Sequence, residues 1–329
     1  MNIAFAGFRH YHIFTLYDMA AAHGGFTVTG GFEEDGEARR QAAQTREVNF
    51  KYPSYEALLS DDSVEAVALG DCYGNRGGQA VLALRAGKHV IADKPLCTSL
   101  AELDEIEKIA AAKGLSVSCM FTMRFEPLIA PVRDFIKSGA LGKINNIYFG
   151  GQHPLMYGTR PRWYYDHKLH GGTLNDIAIH GIDAVNDLCG LRVREINAAR
   201  CWNGYAEKEP QFGDCGQMML TLDGGAGLIA DVSYAIPNGI AYGFPHYWQF
   251  YIWGAEGVLI FSPHGQTAVC YLGGDKVPRV IGQKPTERDF LTDFLSVTRG
   301  ESGVVLPMRD VLDATRDTLT VQQFADNTI

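Results

Sequence analysis

A carboxylate, an imidazole and a second carboxylate stand at Asp176, His180 and Asp183, four and three residues apart. On a helix that spacing puts all three side chains on one stripe. Leu174, Ile177, Val185 and Leu188 fall mainly on a different, apolar stripe that can pack inward. A carboxylate one turn before a histidine can orient the ring and set its protonation state, which suits general acid–base work. The same residues also describe a solvated helix face, so the rest of the chain has to decide. Upstream, Asp93-Lys94-Pro95 puts a lysine just past a short apolar run and just before proline. Proline holds the preceding residue extended and ends a strand there. Lys94 is therefore expected to project from the edge of a sheet.

The chain that must position these groups has 329 residues, too many for one ordinary core and enough for two domains. A hydrophobic content of 46% with 20% charged residues is globular rather than disordered. The net charge of −9 argues against a nucleic-acid backbone as partner. The opening residues lack the basic region and apolar run of a signal peptide, and no apolar stretch is long enough for a bilayer. Seven cysteines form no CxxC pair, which points to reduced thiols and a cytoplasmic setting.

The first third alternates short apolar runs with helical segments. Strands are expected at Ile3–Ala6, Phe26–Phe32, Val64–Leu69 and His89–Ala92, with helices over His12–His23, Arg39–Thr45 and Gln79–Ala86. This pitch implies βαβ units and a parallel sheet covered on both faces. Ligands on such sheets bind beyond the carboxyl ends of the strands, where Gly7, Glu33, Asp71 and Asp93 fall. The first turn reads Gly7-Phe8-Arg9-His10-Tyr11-His12, with only the first glycine of the dinucleotide fingerprint G-x-G-x-x-G. A strand, a glycine turn and a helix N-terminus still make an anion site, and Arg9 could add a charged bond to a phosphate. Glu33 is placed to accept ribose hydroxyls, which favours NAD over NADP.

Later segments change character. A helix is expected over Pro127–Lys137 and a strand over Ile144–Gly150. A long irregular run, 151–169, carries His153, Tyr157, Arg160, Arg162, Trp163, Tyr164, Tyr165 and His167. Aromatic faces suit sugar rings, and Arg and His can hydrogen-bond hydroxyls. Strands are then expected at Glu195–Cys201, Asp214–Leu222, Gly227–Ser233, Tyr247–Trp253 and Gly257–Phe261, and closing helices at Phe290–Arg299 and Val311–Phe324. Runs of strands after a βαβ half imply a second domain on a largely antiparallel sheet. His167, His170, Asp176 and His180 fit no sharp metal-ligand template, and no metal is expected.

With Asp93-Lys94-Pro95 and the stretch from Gly171 to Asp183 both in view, the chain resembles the glucose–fructose oxidoreductase / inositol dehydrogenase (Gfo/Idh/MocA) superfamily. That family shows A-G-K-H-V followed by E-K-P; here Ala86-Gly87-Lys88-His89-Val90 precedes Asp93-Lys94-Pro95. It shows a tryptophan segment before G-G-G-x-L-x-D-x-G-x-H-x-x-D; here Arg162-Trp163-Tyr164-Tyr165-Asp166 precedes the Gly171–Asp183 stretch. Weaker likenesses lie at Arg124-Phe125 with Pro127, at 138–142 and at 254–257, so the resemblance covers nearly the whole chain. The departures are the missing glycines of the first turn, Asp93 in place of glutamate, and a segment from Gly70 to Gly78 where T-P-N and a nearby histidine are usual.

The resemblance implies a fold in two parts. One is an N-terminal Rossmann-type α/β domain, a doubly wound parallel sheet, over residues 1–122. The other is a C-terminal α+β domain with a large, mainly antiparallel sheet over 123–329, the last helices packing back on the first domain. It implies an NAD(H)-dependent oxidoreductase on a sugar, cyclitol or related polyol. Lys94, Asp176 and His180 would be catalytic: His180 the base, Lys94 the charge that steadies an alkoxide, Asp176 the group that binds a hydroxyl and orients His180. Cofactor contacts are expected from Gly7, Phe8, Arg9, His10, His12, Glu33, Asp71, Arg76, Asp93 and Lys94. Substrate contacts are expected from Arg124, Arg162, Trp163, Tyr164, Asp176 and His180. Asp183, further along the helix, is expected to be structural. A homodimer or homotetramer through the C-terminal sheet is expected, with no membrane or nucleic-acid partner. Two rival readings keep the same residues: a redox-neutral lyase or glycosidase working through transient sugar oxidation, and a non-catalytic sugar or nucleotide sensor.

Overall fold

Short apolar runs, each ended by glycine or an acid, build the first sheet. A computed structural model describes residues 1–327 apart from 245 and 287. Strands β1 (Asn2–Ala6), β2 (Thr27–Phe32), β3 (Ala66–Leu69), β4 (His89–Ala92) and β5 (Val117–Cys119) pair in the order β2-β1-β3-β4-β5. All four pairings are parallel. β1, β3, β4 and β5 are almost wholly buried, as a parallel sheet between helix layers requires, while the edge strand β2 is part-exposed. The helices are α1 (His12–Ala22), α2 (Gly36–Thr45), α3 (Tyr55–Leu59), α4 (Tyr73–Arg85) and α5 (Leu100–Lys113). The strand order reverses direction between β1 and β3, and the crevice outside that switch is where such sheets take ligands. Gly7 lies at its edge with φ +80°, and a Cβ there would fall 2.5 Å from the Asp71 backbone nitrogen. Only glycine allows both that backbone and that approach.

Alternating apolar residues build the second sheet. β6 (Ile144–Gly151), β7 (Val193–Trp202), β8 (Cys215–Leu222), β9 (Gly227–Ser233), β10 (Trp248–Gly254), β11 (Gly257–Phe261), β12 (Thr267–Leu272) and β13 (Arg279–Gly282) pair in the order β13-β12-β11-β10-β6-β9-β8-β7. Every pairing is antiparallel except β6 with β9. α6 (Ile129–Lys137) and α8 (Ile179–Cys189) pack together, and α8 lies on β6. Phe149, Phe250, Trp248 and Leu220 fill the core beneath them. The remaining helices are α7 (His167–His170), α9 (Phe290–Thr298) and α10 (Met308–Asp326).

The chain divides into two compact units, neither continuous in sequence. The first takes Met1–Met120, Lys168–His170 and Arg288–Thr315; the second takes Phe121–His167, Gly171–Glu287 and Arg316–Ile329. Phe294 of α9 stacks on Phe26 with ring centroids 6.5 Å apart, and the Val117 N–H meets Met308 Sδ at 3.3 Å, so both late helices contribute to the first unit.

Elements α3, α5, β5, β12 and β13 go beyond those expected from sequence. Three are only three to five residues long, and the apolar period of α5 (Leu103, Ile106, Ala110) was legible. α4 begins at Tyr73, six residues before the expected start. Gly74, Gly77 and Gly78 look like breakers, but the first two allow close packing: a Cβ on Gly74 would meet the Lys168 carbonyl oxygen at 2.1 Å, and one on Gly77 the Glu102 carboxylate at 2.3 Å.

Candidate active site

The loop from Gly7 to His12 joins β1 to α1, and its backbone is largely committed to the protein itself. The Phe8 N–H donates to Glu33 Oε2 at 2.5 Å, and the Arg9 and His10 N–H groups donate to the Gly70 carbonyl at 3.1 and 3.2 Å. Phe8 turns its ring inward among Phe5, Phe14, Tyr17 and Phe50, so its side chain faces the core rather than a ligand. Glu33 is buried at the end of β2, its other oxygen accepting the Asp35 N–H at 2.8 Å. Burial raises its pKa, and the two N–H bonds counter part of that rise. Arg9 lies 3.7 Å from Asp35.

Asp93, at the end of β4, gathers three cationic or imidazole groups. His10 Nδ1 is 2.5 Å from its Oδ2, His12 Nδ1 is 3.2 Å from its Oδ1, and Arg76 NH2 donates to Oδ2 at 2.9 Å. Asp93 and Arg76 are both fully buried. Burial opposes the carboxylate's charge, but Arg76, then His10 and His12, hold its pKa well below the usual range. His10 is pushed down to about 3 by burial, against the partial opposing pull of Asp93, and is therefore neutral. The donor atoms of His10, His12 and Asp93 all lie within 4.8 Å of one another, a metal-like grouping that the sequence spacing did not reveal. Arg76 already sets a positive charge against that carboxylate. Asp71, just before α4, accepts the Cys72 N–H at 2.6 Å and the Gln79 side-chain amide at 2.7 Å. Lys94 follows at the sheet edge, 4% exposed.

In the second unit, Gly171 and Gly172 (φ +75° and +92°) lead into one wide π-helical turn, Leu174–Ala178, continued by α8. The turn is anchored by the Asn175 N–H to Gln322 Oε1 at 3.1 Å and by the Thr173 hydroxyl to the Gly213 carbonyl. Asp176 is buried in the turn, and its Oδ2 accepts the phenols of Tyr164 (3.0 Å) and Tyr234. Burial first, and Asp176 second, raise the Tyr164 pKa well above its ordinary value, so the phenol stays a donor. His180 opens α8, half-buried, with the rings of Trp248 and Phe121 edge-on at 6.0 and 6.4 Å. Next to it, a Cβ on Gly181 would fall 2.2 Å from the Phe149 ring.

The other expected residues divide. Trp163 and Tyr164 are buried in a short turn, Arg162–Tyr165, where Arg162 is exposed. Arg124 is buried with its guanidinium on Asp183, NH2 to Oδ1 at 2.7 Å and Nε to Oδ2 at 3.0 Å, a structural ion pair rather than the expected substrate contact. Tyr234 had no sequence signal: it lies in a strand-end segment, and only the fold brings it to Asp176. His170 packs against Tyr73 within the first unit, 5.4 Å between centroids.

Residues 1–121 match the model of the oxidoreductase family with an NAD-binding Rossmann fold, and residues 129–260 match the GFO/IDH/MocA C-terminal domain. The chain belongs to the Gfo/Idh/MocA family. The NAD(+)-dependent scyllo-inositol 2-dehydrogenase of Bacillus subtilis is 26% identical over 226 residues, 68% of this chain and 63% of that protein. D-xylose dehydrogenase of Paenarthrobacter nicotinovorans is 24% identical over 58% of this chain and 53% of its own length. The matches to curated relatives thus span between about half and two thirds of their length. Among solved structures, an inositol dehydrogenase homologue complexed with NAD+ from Azotobacter vinelandii has a TM-score of 0.82 at 20% identity, covering 99% of this chain and 95% of its own. Levoglucosan dehydrogenase with NADH and levoglucosan has a TM-score of 0.81 at 19% identity, covering 100% and 98%. These similarities establish the shared fold.

For a Gfo/Idh/MocA chain the nucleotide loop is unusual, yet it fits a dinucleotide. Four of its N–H groups, those of Gly7 to His10, serve the protein, so the remaining anion donors are the start of α1, which no side chain caps, and the side chains of Arg9 and His12. A helix N-terminus flanked by basic side chains suits a pyrophosphate. Glu33 keeps a second lone pair on each oxygen for ribose hydroxyls.

Proposed function

We propose that this protein is an NAD(H)-dependent dehydrogenase acting on a carbinol of a sugar, cyclitol or related polyol. The observation that carries the reading is the helix start at His180: a half-buried imidazole flanked by aromatic edges, one turn after a buried carboxylate that two phenols hold in place. Aromatic walls with a base and hydroxyl groups suit a polyol ring. Arg9, His12 and Glu33 hold the dinucleotide, which when bound supplies the hydride acceptor. His180 takes the proton from the substrate hydroxyl, and Lys94 offers an ammonium that favours the developing alkoxide. Asp176, with Tyr164 and Tyr234, fixes the turn from which His180 projects.

The test is NADH formation across a polyol panel. His180→Ala should lower kcat by about 10²–10⁴-fold, the usual contribution of a general base, while NAD affinity by calorimetry stays within twofold. An unchanged rate rejects the assignment.

A second copy of the chain is the proposed partner. One row of side chains runs across the eight-stranded sheet: Ala198, Met219, Ile229, Tyr148, Tyr251, Ile260, Val269 and Val280 are successive cross-strand neighbours. Cross-strand neighbours share a face, so this face carries an apolar stripe, and Met219, Ile229 and Val280 are exposed on it. A continuous apolar face of this kind marks an interaction surface.

A further inference from the structure

Arg76 has no route to a ligand, since none of its side chain is exposed. Its guanidinium is spent inside the protein. Nε donates to the Asp71 carbonyl at 2.9 Å, and NH2 donates to Asp93 Oδ2 at 2.9 Å. NH1 reaches three successive carbonyls, those of Asp93 (2.9 Å), Lys94 (2.6 Å) and Pro95 (3.2 Å). The plane lies against the Tyr73 ring, 4.7 Å from its centroid. Three carbonyls turned toward one point repel one another unless a donor sits there, and buried acceptors left without one are costly. Asp93 completes the arrangement: one carboxylate takes Arg76, His10 and His12 together.

We propose that Arg76 is the positioning residue of Lys94. It bolts the backbone on both sides of the lysine to the start of α4, so the ammonium projects from a fixed point at the end of β4. A lysine at 76 would keep the charge but lose the planar fork, which is what spans Asp71, Asp93 and the 93–95 carbonyls at once. The proposal rests on the role given to Lys94 above, and its effect must pass through that residue.

The experiment is a double-mutant cycle of Arg76→Lys and Lys94→Ala, assayed with the best polyol of the panel, together with hydrogen exchange of the segment after β4. Arg76→Lys is expected to lower kcat at least tenfold with KM for NAD within twofold. On the Lys94→Ala background it should add less than a twofold loss. The amides of Lys94, Leu96 and Cys97 should exchange at least tenfold faster, with β4 itself unchanged. Asp93→Asn, which keeps the shape but weakens the guanidinium's anchor, should show the same kcat loss and the same dependence on Lys94, and it keeps the test open if Arg76→Lys does not fold. Wild-type kcat in both the Arg76 and Asp93 variants, equal losses with and without Lys94, or unchanged exchange overturns the proposal while leaving the role of Lys94 intact. Wild-type kcat in Lys94→Ala overturns that role and this proposal with it.

Discussion

His10 is held neutral by burial, and Asp93 only partly offsets that cost. The ordinary pKa near 6.5 applies to the unfolded chain, and the folded value is about 3. Between those values the unfolded chain carries a proton that the folded chain refuses, so stability falls as pH falls through that window. By linkage the change from pH 7 to pH 5 is about 2 kcal/mol from this residue alone. Asp93 is ionised in both states over that range and adds its own loss only below its unfolded value of 3.8. Glu33 works the other way, because its raised pKa lets the folded state take up a proton first. Urea midpoints at pH 7 and pH 5 should therefore drop in the wild type, with a clearly smaller drop in His10→Gln; equal drops would remove His10 as the cause. Sequence showed which groups stand near the sheet edge but not where each one points. Glu33 and Asp71 lie at the expected strand ends, Phe8 just past the end of β1, and Arg76 on α4. Their side chains turn toward backbone N–H groups, carbonyls or the core, and some of those directions depend on distant partners: Glu33 on the Phe8 N–H, 25 residues away, and Arg76 on Asp93, 17 away.

At the scale of the element, α8 shows why the histidine proposed as the base is followed by glycine. The helix lies so close to β6 that a methyl at 181 enters the Phe149 ring. Overpacking of this kind typically costs about 1–3 kcal/mol. Gly181→Ala should lower the unfolding free energy from urea titration by that amount and, by tilting the start of the helix, also lower kcat; a variant as stable and active as the wild type would show that the helix has slack. The pattern around Asp176, His180 and Asp183 was legible from spacing alone. The wide turn before α8 was not, since it follows from Gln322 reaching back to the Asn175 N–H. Nor was the early start of α4, which Gly74, Gly77 and Gly78 masked as apparent breakers.

At the scale of the molecule, the two sheets followed from the alternation of strands with helices and then of strands with strands. The order of the second sheet did not, because the parallel pairing of β6 with β9 joins segments far apart in sequence. The apolar row emerges only once that register is known. Replacing Ile229, more than half exposed on it, with glutamate sets a charge in the middle of the stripe. If the face joins two copies, Ile229→Glu should shift the sedimentation profile toward monomer at micromolar concentration without loss of circular dichroism. An unchanged profile would send the search for an interface elsewhere.

The first unit closes only when Arg288–Thr315 joins it: His23 Nε2 meets Thr292 Oγ1 at 2.9 Å, and Leu295 packs beside Gly25. During synthesis, then, the nucleotide-binding sheet can pair its strands early but stays without that cover until the ribosome has passed Thr315. Domains whose chain is contiguous fold in turn as they emerge. Here the first-made unit waits for residues 288–315, made long after its own strands, and until then the apolar surface they cover stays open to water.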